Sequence, residues 1–251
     1  MISENLRLPL LTSLLLSALL SACGTDEAEV SDNTSAPASP PALLADGTEA
    51  PGANNSPIFT WETMPTTYEL LQAQPFTLPS GETHWYQVVY LPEGGVNWVQ
   101  ARALAEQRGG YLVSFHSQEE NDFAFSLVTD EKYWWKFDHG TLDDGTPLYN
   151  LSGPFIGGFQ PDGSPQPDGG WRWVSGEPMS WINWQKEGLD IGIHIAPDNQ
   201  PNNNNGNQNV MAFGEVDEVA SYWSDVPHLK GTYGTTLPQS FGFIIEYEAQ
   251  P

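Results

Sequence analysis

The sequence predicts an α+β domain built from two helices, several short strands and one long irregular loop, and three observations carry that prediction. Residues 97–109 and 117–128 combine capping residues with apolar positions at helical spacing. The stretch His84-Trp85-Tyr86-Gln87-Val88-Val89-Tyr90 is aromatic and β-branched with the alternation of a half-buried strand. Residues 171–225 alternate Trp-bearing stretches with segments rich in Asn, Asp, Gly and Pro, the composition of a small β core that displays irregular polar loops.

Taken from its start, the chain opens with an apolar run, residues 8–20, preceded by Arg7 and followed by Leu20-Ser21-Ala22-Cys23. That run is too short to span a bilayer and reads as a secretion signal ending in small residues. Leu20-Ser21-Ala22-Cys23 resembles a bacterial lipobox, which implies a signal peptide over 1–22, acylation of Cys23 and a mature protein held at the membrane by a lipid alone. Gly24 after the cysteine is similar to the sorting pattern that implies the outer membrane or cell surface. Residues 23–56 are Ala, Ser, Pro, Gly, Thr, Asp and Glu with almost no large apolar side chain, a flexible tether by composition. Residues 57–82 regain Ile58, Phe59, Trp61, Tyr68, Leu70, Leu71 and Phe76 between prolines and read as an irregular lead-in to a domain over 83–251.

Within that domain Asn97 and Gln100 form an N-cap pair, Trp98, Ala101 and Ala105 share a face, and Gly109 stops the first helix. Tyr111-Leu112-Val113-Ser114-Phe115 is a short strand. Ser117 with Glu120 opens the second helix as a capping box, with Phe123, Ala124, Leu127 and Val128 directed inward. Ten Trp, nine Tyr and eleven Phe supply one core, and the single cysteine allows no intramolecular disulfide. A formal charge of -24 argues against nucleic acid or an anionic membrane surface as partner.

The order of these elements resembles the C-type lectin-like domain. Trp98, Ala101 and Ala105, then Gly110-Tyr111-Leu112-Val113-Ser114, then Ser117-Gln118-Glu119-Glu120-Asn121, are similar to its N-terminal half. Phe155-Ile156-Gly157-Gly158 resembles its central Trp-Ile-Gly-Leu motif, Trp171-Arg172-Trp173-Val174-Ser175-Gly176 the hairpin after it, Ser180-Trp181-Ile182-Asn183-Trp184 the entry to its long loop, and Trp223-Ser224-Asp225 its Trp-Asn-Asp motif. Gly242-Phe243-Ile244-Ile245-Glu246-Tyr247-Glu248 resembles the last strand, which pairs back on the first. The resemblance covers about residues 84–248 and implies two small antiparallel sheets beside the two helices. The family's disulfide cysteines are absent, Val210 standing at one of those positions, and residues 129–152 and 185–199 look like insertions. The aromatics of Lys132-Tyr133-Trp134-Trp135-Lys136 in the first insertion read as packed structure or as a ligand platform.

The resemblance also implies a calcium ion in the long loop, with a sugar completing its coordination. Carried over by position, Pro201 is the cis-proline, Gln200 and Asn202 flank it, Gln208 stands at the family's Glu, and Ser224 and Asp225 close the set. Asp225 is its only carboxylate, so the ion would be held more weakly than in the family at large, unless Asp198, Glu215, Asp217 or Glu218 contributes. Gln200-Pro201-Asn202 mixes the family's mannose-type and galactose-type triplets and selects no sugar. The same residues also read as a polar turn, with Pro201 cis or trans. Trp181 is the indole placed to stack on a ring; Trp171, Trp173, Trp184 and Trp223 read as core or loop anchors. Asp143-Asp144-Gly145, Pro161-Asp162-Gly163 and Pro167-Asp168-Gly169 read as turns. The histidines have no metal-ligand spacing, and nucleophile elbows and phosphate loops are absent, so no catalytic residue is assigned. The sequence therefore predicts an exported, lipid-anchored carbohydrate-binding domain, calcium-dependent or not, or a calcium-independent protein-binding or adhesive module on the same fold.

Overall fold

A computed structural model describes residues 29–32, 67–142, 144–186, 199–203, 206–216, 218–228 and 240–251. The signal peptide, Cys23, Asp143, Asp198, Asp217 and the Glu215 side chain lie outside the described residues.

Among the described residues eleven strands form one hydrogen-bonded sheet around two antiparallel groups, with two α-helices packed on it. In the first, β4 (Thr83–Tyr90) pairs with β11 (Gly242–Tyr247) from Tyr90↔Gly242 to Trp85↔Tyr247, so the two ends of the domain are zipped together. The short β5 (Tyr111–Leu112) lies on the other side of β11. In the second group the long β7 (Pro147–Phe159) pairs with β6 (Trp135–Thr141), β8 (Arg172–Trp173) and β9 (Gln208–Val216), and β9 pairs with β10 (Trp223–Pro227). One parallel contact, Phe243↔Phe155, joins the groups.

The lead-in expected to be irregular contains two regular pieces, β2 (Thr67–Leu70) and β3 (Gln74–Thr77), both antiparallel to β4. Pro75 sits in β3, an edge strand, where a missing N–H costs no ladder bond. Inside the stretch read as a tether, β1 (Glu29–Asp32) pairs with β2.

Strand alternation divides the core between two faces. Phe243, Ile245, Val210, Ala212, Phe155 and Phe159 point to one cluster, covered by α1 (Trp98–Gln107) through Trp98, Ala101, Leu104 and Ala105. Ile244, Met211, Phe213 and Ile156 point to the other, covered by Ala124 of α2 (Gln118–Ser126) and by Trp173, Trp184 and Trp223. Helix α1 starts as the sequence predicts, with the Asn97–Gln100 capping box formed in both directions, and Trp98 Nε1 donates to Ile156 O at 2.8 Å. Gly157 has no room for a side chain: a Cβ there would lie 2.4 Å from Leu112 O. Val210 is fully buried, so an apolar contact occupies the position where the family has a cysteine. In the first insertion Tyr133 and Trp134 are buried, while Trp135 stacks on Phe137 at 4.4 Å.

The second helix departs from its expected capping box. Ser117 Oγ does accept from Glu120 N, at 3.2 Å, but the fully buried Glu120 carboxylate passes the cap and accepts from His116 N at 2.8 Å and Tyr86 Oη at 2.6 Å. Glu246, also fully buried, accepts from Ser114 N at 2.9 Å, lies 2.6 Å from His84 Nδ1, and is 3.4 Å from Tyr86 Oη. This network ties α2 to β4 and β11. His116 bridges outward, 3.5 Å from Glu120 and 3.3 Å from Glu177.

Hydrogen bonding to Glu246 holds the His84 pKa above its ordinary value of 6.5, and hydrogen bonding to Glu120 does the same for His116. Burial pushes the Glu246 carboxyl up. All three shifts mean that the folded state binds more protons than the unfolded one, so stability falls as pH rises. The histidine contribution is complete below pH 6.5 and is lost as pH climbs through the raised folded values. Urea midpoints are expected to decline from pH 6 towards pH 9, and H84Q is expected to flatten part of that slope; a midpoint independent of pH would contradict the network.

Candidate functional site

The long loop is built upward from Trp223. Its indole is fully buried, donates Nε1–H to Asn121 Oδ1 at 2.8 Å, stacks on Phe115 at 5.7 Å, and meets Trp173, Trp181 and Trp184 edge-on at 5.3, 5.2 and 6.0 Å. Its backbone gathers the loop's entry: Trp223 N donates to Asn183 O at 2.9 Å, and Gln185 N donates to Trp223 O at 3.0 Å. Gln185 O then accepts from Gln200 N at 2.8 Å, which sets the start of Gln200-Pro201-Asn202 against the loop's first limb.

The Gln200–Pro201 bond is cis, and Asn203 takes a left-handed φ of 46°. This turn aims two consecutive backbone N–H groups at Asp225, which is 1% exposed: Asn202 N lies 2.9 Å from Oδ1 and Asn203 N lies 2.7 Å from Oδ2. Asn203 Oδ1 in turn accepts from Gln208 N at 3.0 Å, fastening the loop's exit to the start of β9. Gln200 is buried, and its Oε1 has no hydrogen-bond partner among the described residues. Gln208 is buried as well, and Asn202 is half-buried.

Alternation along β10 turns Ser224 to the side opposite Trp223 and Asp225. There its Oγ packs so closely on Gly214 that a Cβ at that glycine would lie 2.7 Å away. The structure thus brings Gln200, Asn202, Gln208 and Asp225 together around the turn and sets Ser224 on the far side of its strand. Trp181 is half-buried with its edge on Trp223, and Glu218 is exposed.

These residues do not fit a tightly held calcium. Their one carboxylate spends both oxygens on backbone N–H groups, the other donors are neutral amides, and Lys186 Nζ, a cation, lies 3.3 Å from Gln200 O. Among the described residues no group of three or more His, Cys, Asp or Glu side chains is placed to hold a metal. Asp225 fixes the backbone of the turn through its two bonds to Asn202 N and Asn203 N.

Beside Pro201 lies an open cavity of about 400 Å³, lined by Trp171, Met179, Ile182 and Trp184 and also by Asp168 and Lys186. The turn bearing Asp168 was legible as a turn; what holds it was not. Gln160, fully buried, donates its amide to Pro165 O, Pro167 O and Gly169 O at 3.3, 3.2 and 2.6 Å. A lone Gln before a Pro/Gly-rich turn is the signal that could have found it.

Two flanking helices, terminal strands zipped together, and a long loop turning on a cis-proline define a C-type lectin-like, α+β fold. Over 107 residues, 42% of this chain, the sequence is 33% identical to the mouse low affinity immunoglobulin epsilon Fc receptor, and it spans about a quarter of that receptor's length. Among solved structures it is similar to the cow C-type carbohydrate-recognition domain of CD23, crystallised in the presence of GlcNAc2Man3 oligosaccharide (21% identity, 66% of this chain and 88% of that one, TM-score 0.40). It is also similar to the calcium-independent C-type lectin SPL-2 from Saxidomus purpuratus (18% identity, 66% and 88%, TM-score 0.39). No protein-family model matches the chain.

Removing the Asp225 carboxylate leaves two N–H groups facing an apolar side chain. D225A is expected to lose on the order of 3 kcal/mol in metal-free buffer, and D225N, which keeps one acceptor oxygen, less. Urea unfolding in EDTA measures both, and a wild-type midpoint in D225A would contradict the clamp.

Proposed function

We propose that this chain is an extracellular carbohydrate-binding protein, tethered to the bacterial outer membrane or cell surface through a lipid on Cys23, whose turn at residues 200–203 is held without calcium. The observation that carries the reading is the Asp225 clamp on Asn202 and Asn203, which holds a turn of amide side chains; Trp181, half-buried with its edge on Trp223, adds an indole in the same region of the sequence. Amides supply both donors and acceptors for hydroxyls, and an indole supplies a face for a sugar's C–H groups. Gln200 Oε1, buried without a partner among the described residues, is an acceptor that a ligand hydroxyl or a calcium ion would satisfy. A binding role without catalysis accords with the resemblance.

Retention of the protein on immobilised glycans is expected to be the same in EDTA as in calcium. Retention only with calcium would instead support the ion-bridged mechanism on Gln200, Asn202, Gln208 and Asp225. A second reading, a protein-binding or adhesive surface, is favoured by two exposed large apolar residues among those described, Ile182 at 53% and Tyr222 at 48%, and by the sequence likeness to a receptor named for an immunoglobulin Fc ligand. No glycan retained under either condition would favour it. The anchor has its own check: C23S is expected to move the protein from the membrane fraction to the soluble one, and unchanged fractionation would overturn the lipid.

A further inference from the structure

We propose that the cavity beside Pro201 is the sugar subsite and takes one neutral pyranose, held by Trp171, Ile182, Asp168 and Lys186 with no bridging metal. The inference rests on the carbohydrate-binding reading and places the ligand on a different wall of the loop from the amides that the family resemblance points to.

Size comes first. About 400 Å³ falls within the roughly 300–1,000 Å³ of small-ligand sites and suits a single ring better than an extended chain.

The walls are already in place. Trp171 is half-buried, and its ring is fixed at both ends: Nε1 donates to Pro167 O at 2.9 Å, and the ring packs on Trp184 at 4.9 Å and 63°. The turn that carries Asp168 is stapled by the Gln160 amide to three carbonyls. Lys186 is steadied by its 3.3 Å contact with Gln200 O, which uses one of three ammonium donors and leaves two. A preformed site spends less of its binding energy on ordering itself.

The chemistry of the walls selects the class of ligand. An indole with Met179, Ile182 and Pro201 around it offers an apolar floor for the C–H face of a pyranose. Asp168 supplies an acceptor and Lys186 a donor, the two kinds of partner that the hydroxyls of a sugar ring use. One charge of each sign favours a ligand without net charge, and a chain carrying -24 overall repels an anionic sugar. Ile182 is 53% exposed, an unfavourable place for a large apolar side chain that a ligand resting on it would cover.

The test uses the full chain in EDTA, with immobilised neutral oligosaccharides of mannose, galactose and N-acetylglucosamine as probes. K186A and I182D alter exposed side chains and are expected to keep the wild-type melting temperature. Each is expected to weaken retention about tenfold, the equivalent of one good contact, while E119Q on the exposed face of α2 changes nothing. Retention in EDTA that neither variant disturbs would overturn the subsite and leave the glycan reading standing. Retention that appears only with calcium would also overturn it, in favour of the ion-bridged site. Failure of every neutral sugar, with and without calcium, would remove the carbohydrate reading itself.

Discussion

The burial of one indole governs the functional half of this molecule. Trp223 is sealed from solvent, and its single polar atom is satisfied by Asn121, so neither its apolar bulk nor its N–H pulls it outward. Aromatic contacts such as those with Phe115, Trp173, Trp181 and Trp184 contribute roughly 0.5–1.5 kcal/mol each beyond their buried area. Because the same residue's backbone binds the limb at 183 and 185, fixing the indole fixes the entry of the loop. Two residues further along the strand, on the same side, the chain delivers Asp225 under the cis-proline turn.

The clamp and an ion solve one problem by different means. A loop rich in Asn, Gly and Pro has little apolar surface with which to order itself, so it needs a strong polar anchor. A calcium ion would gather several carboxylates. Here one carboxylate gathers two backbone N–H groups, and charge-assisted bonds of this kind are stronger than neutral ones. Such an anchor is part of the chain itself, and on the proposed reading it holds the turn at 200–203 without a metal.

Much of the fold was legible in the residues. The Asn97–Gln100 cap, the strand at 84–90 and the pairing of Gly242-to-Tyr247 with it follow from local chemistry and from resemblance, and the structure has all three. Less legible were features in which a familiar local signal was spent on a distant partner. Ser117 and Glu120 have the spacing of a capping box, yet the Glu side chain serves Tyr86 and His116, because Tyr86 Oη and the backbone at 116 need a buried acceptor. Ser224 shows why adjacency in a motif does not give adjacency in space: strand alternation places it and Asp225 on opposite faces. The aromatic insertion formed a β6–β7 hairpin because its residues alternate once Gly140 is allowed a register shift.

Amide hydrogen exchange at Asn202 and Asn203 in metal-free buffer tests most directly whether the Asp225 carboxylate orders the turn by itself. Both amides are expected to be protected in EDTA and unchanged when calcium is added. Exchange at unprotected rates in EDTA that slows on addition of calcium would show that an ion, not the carboxylate clamp, orders the loop.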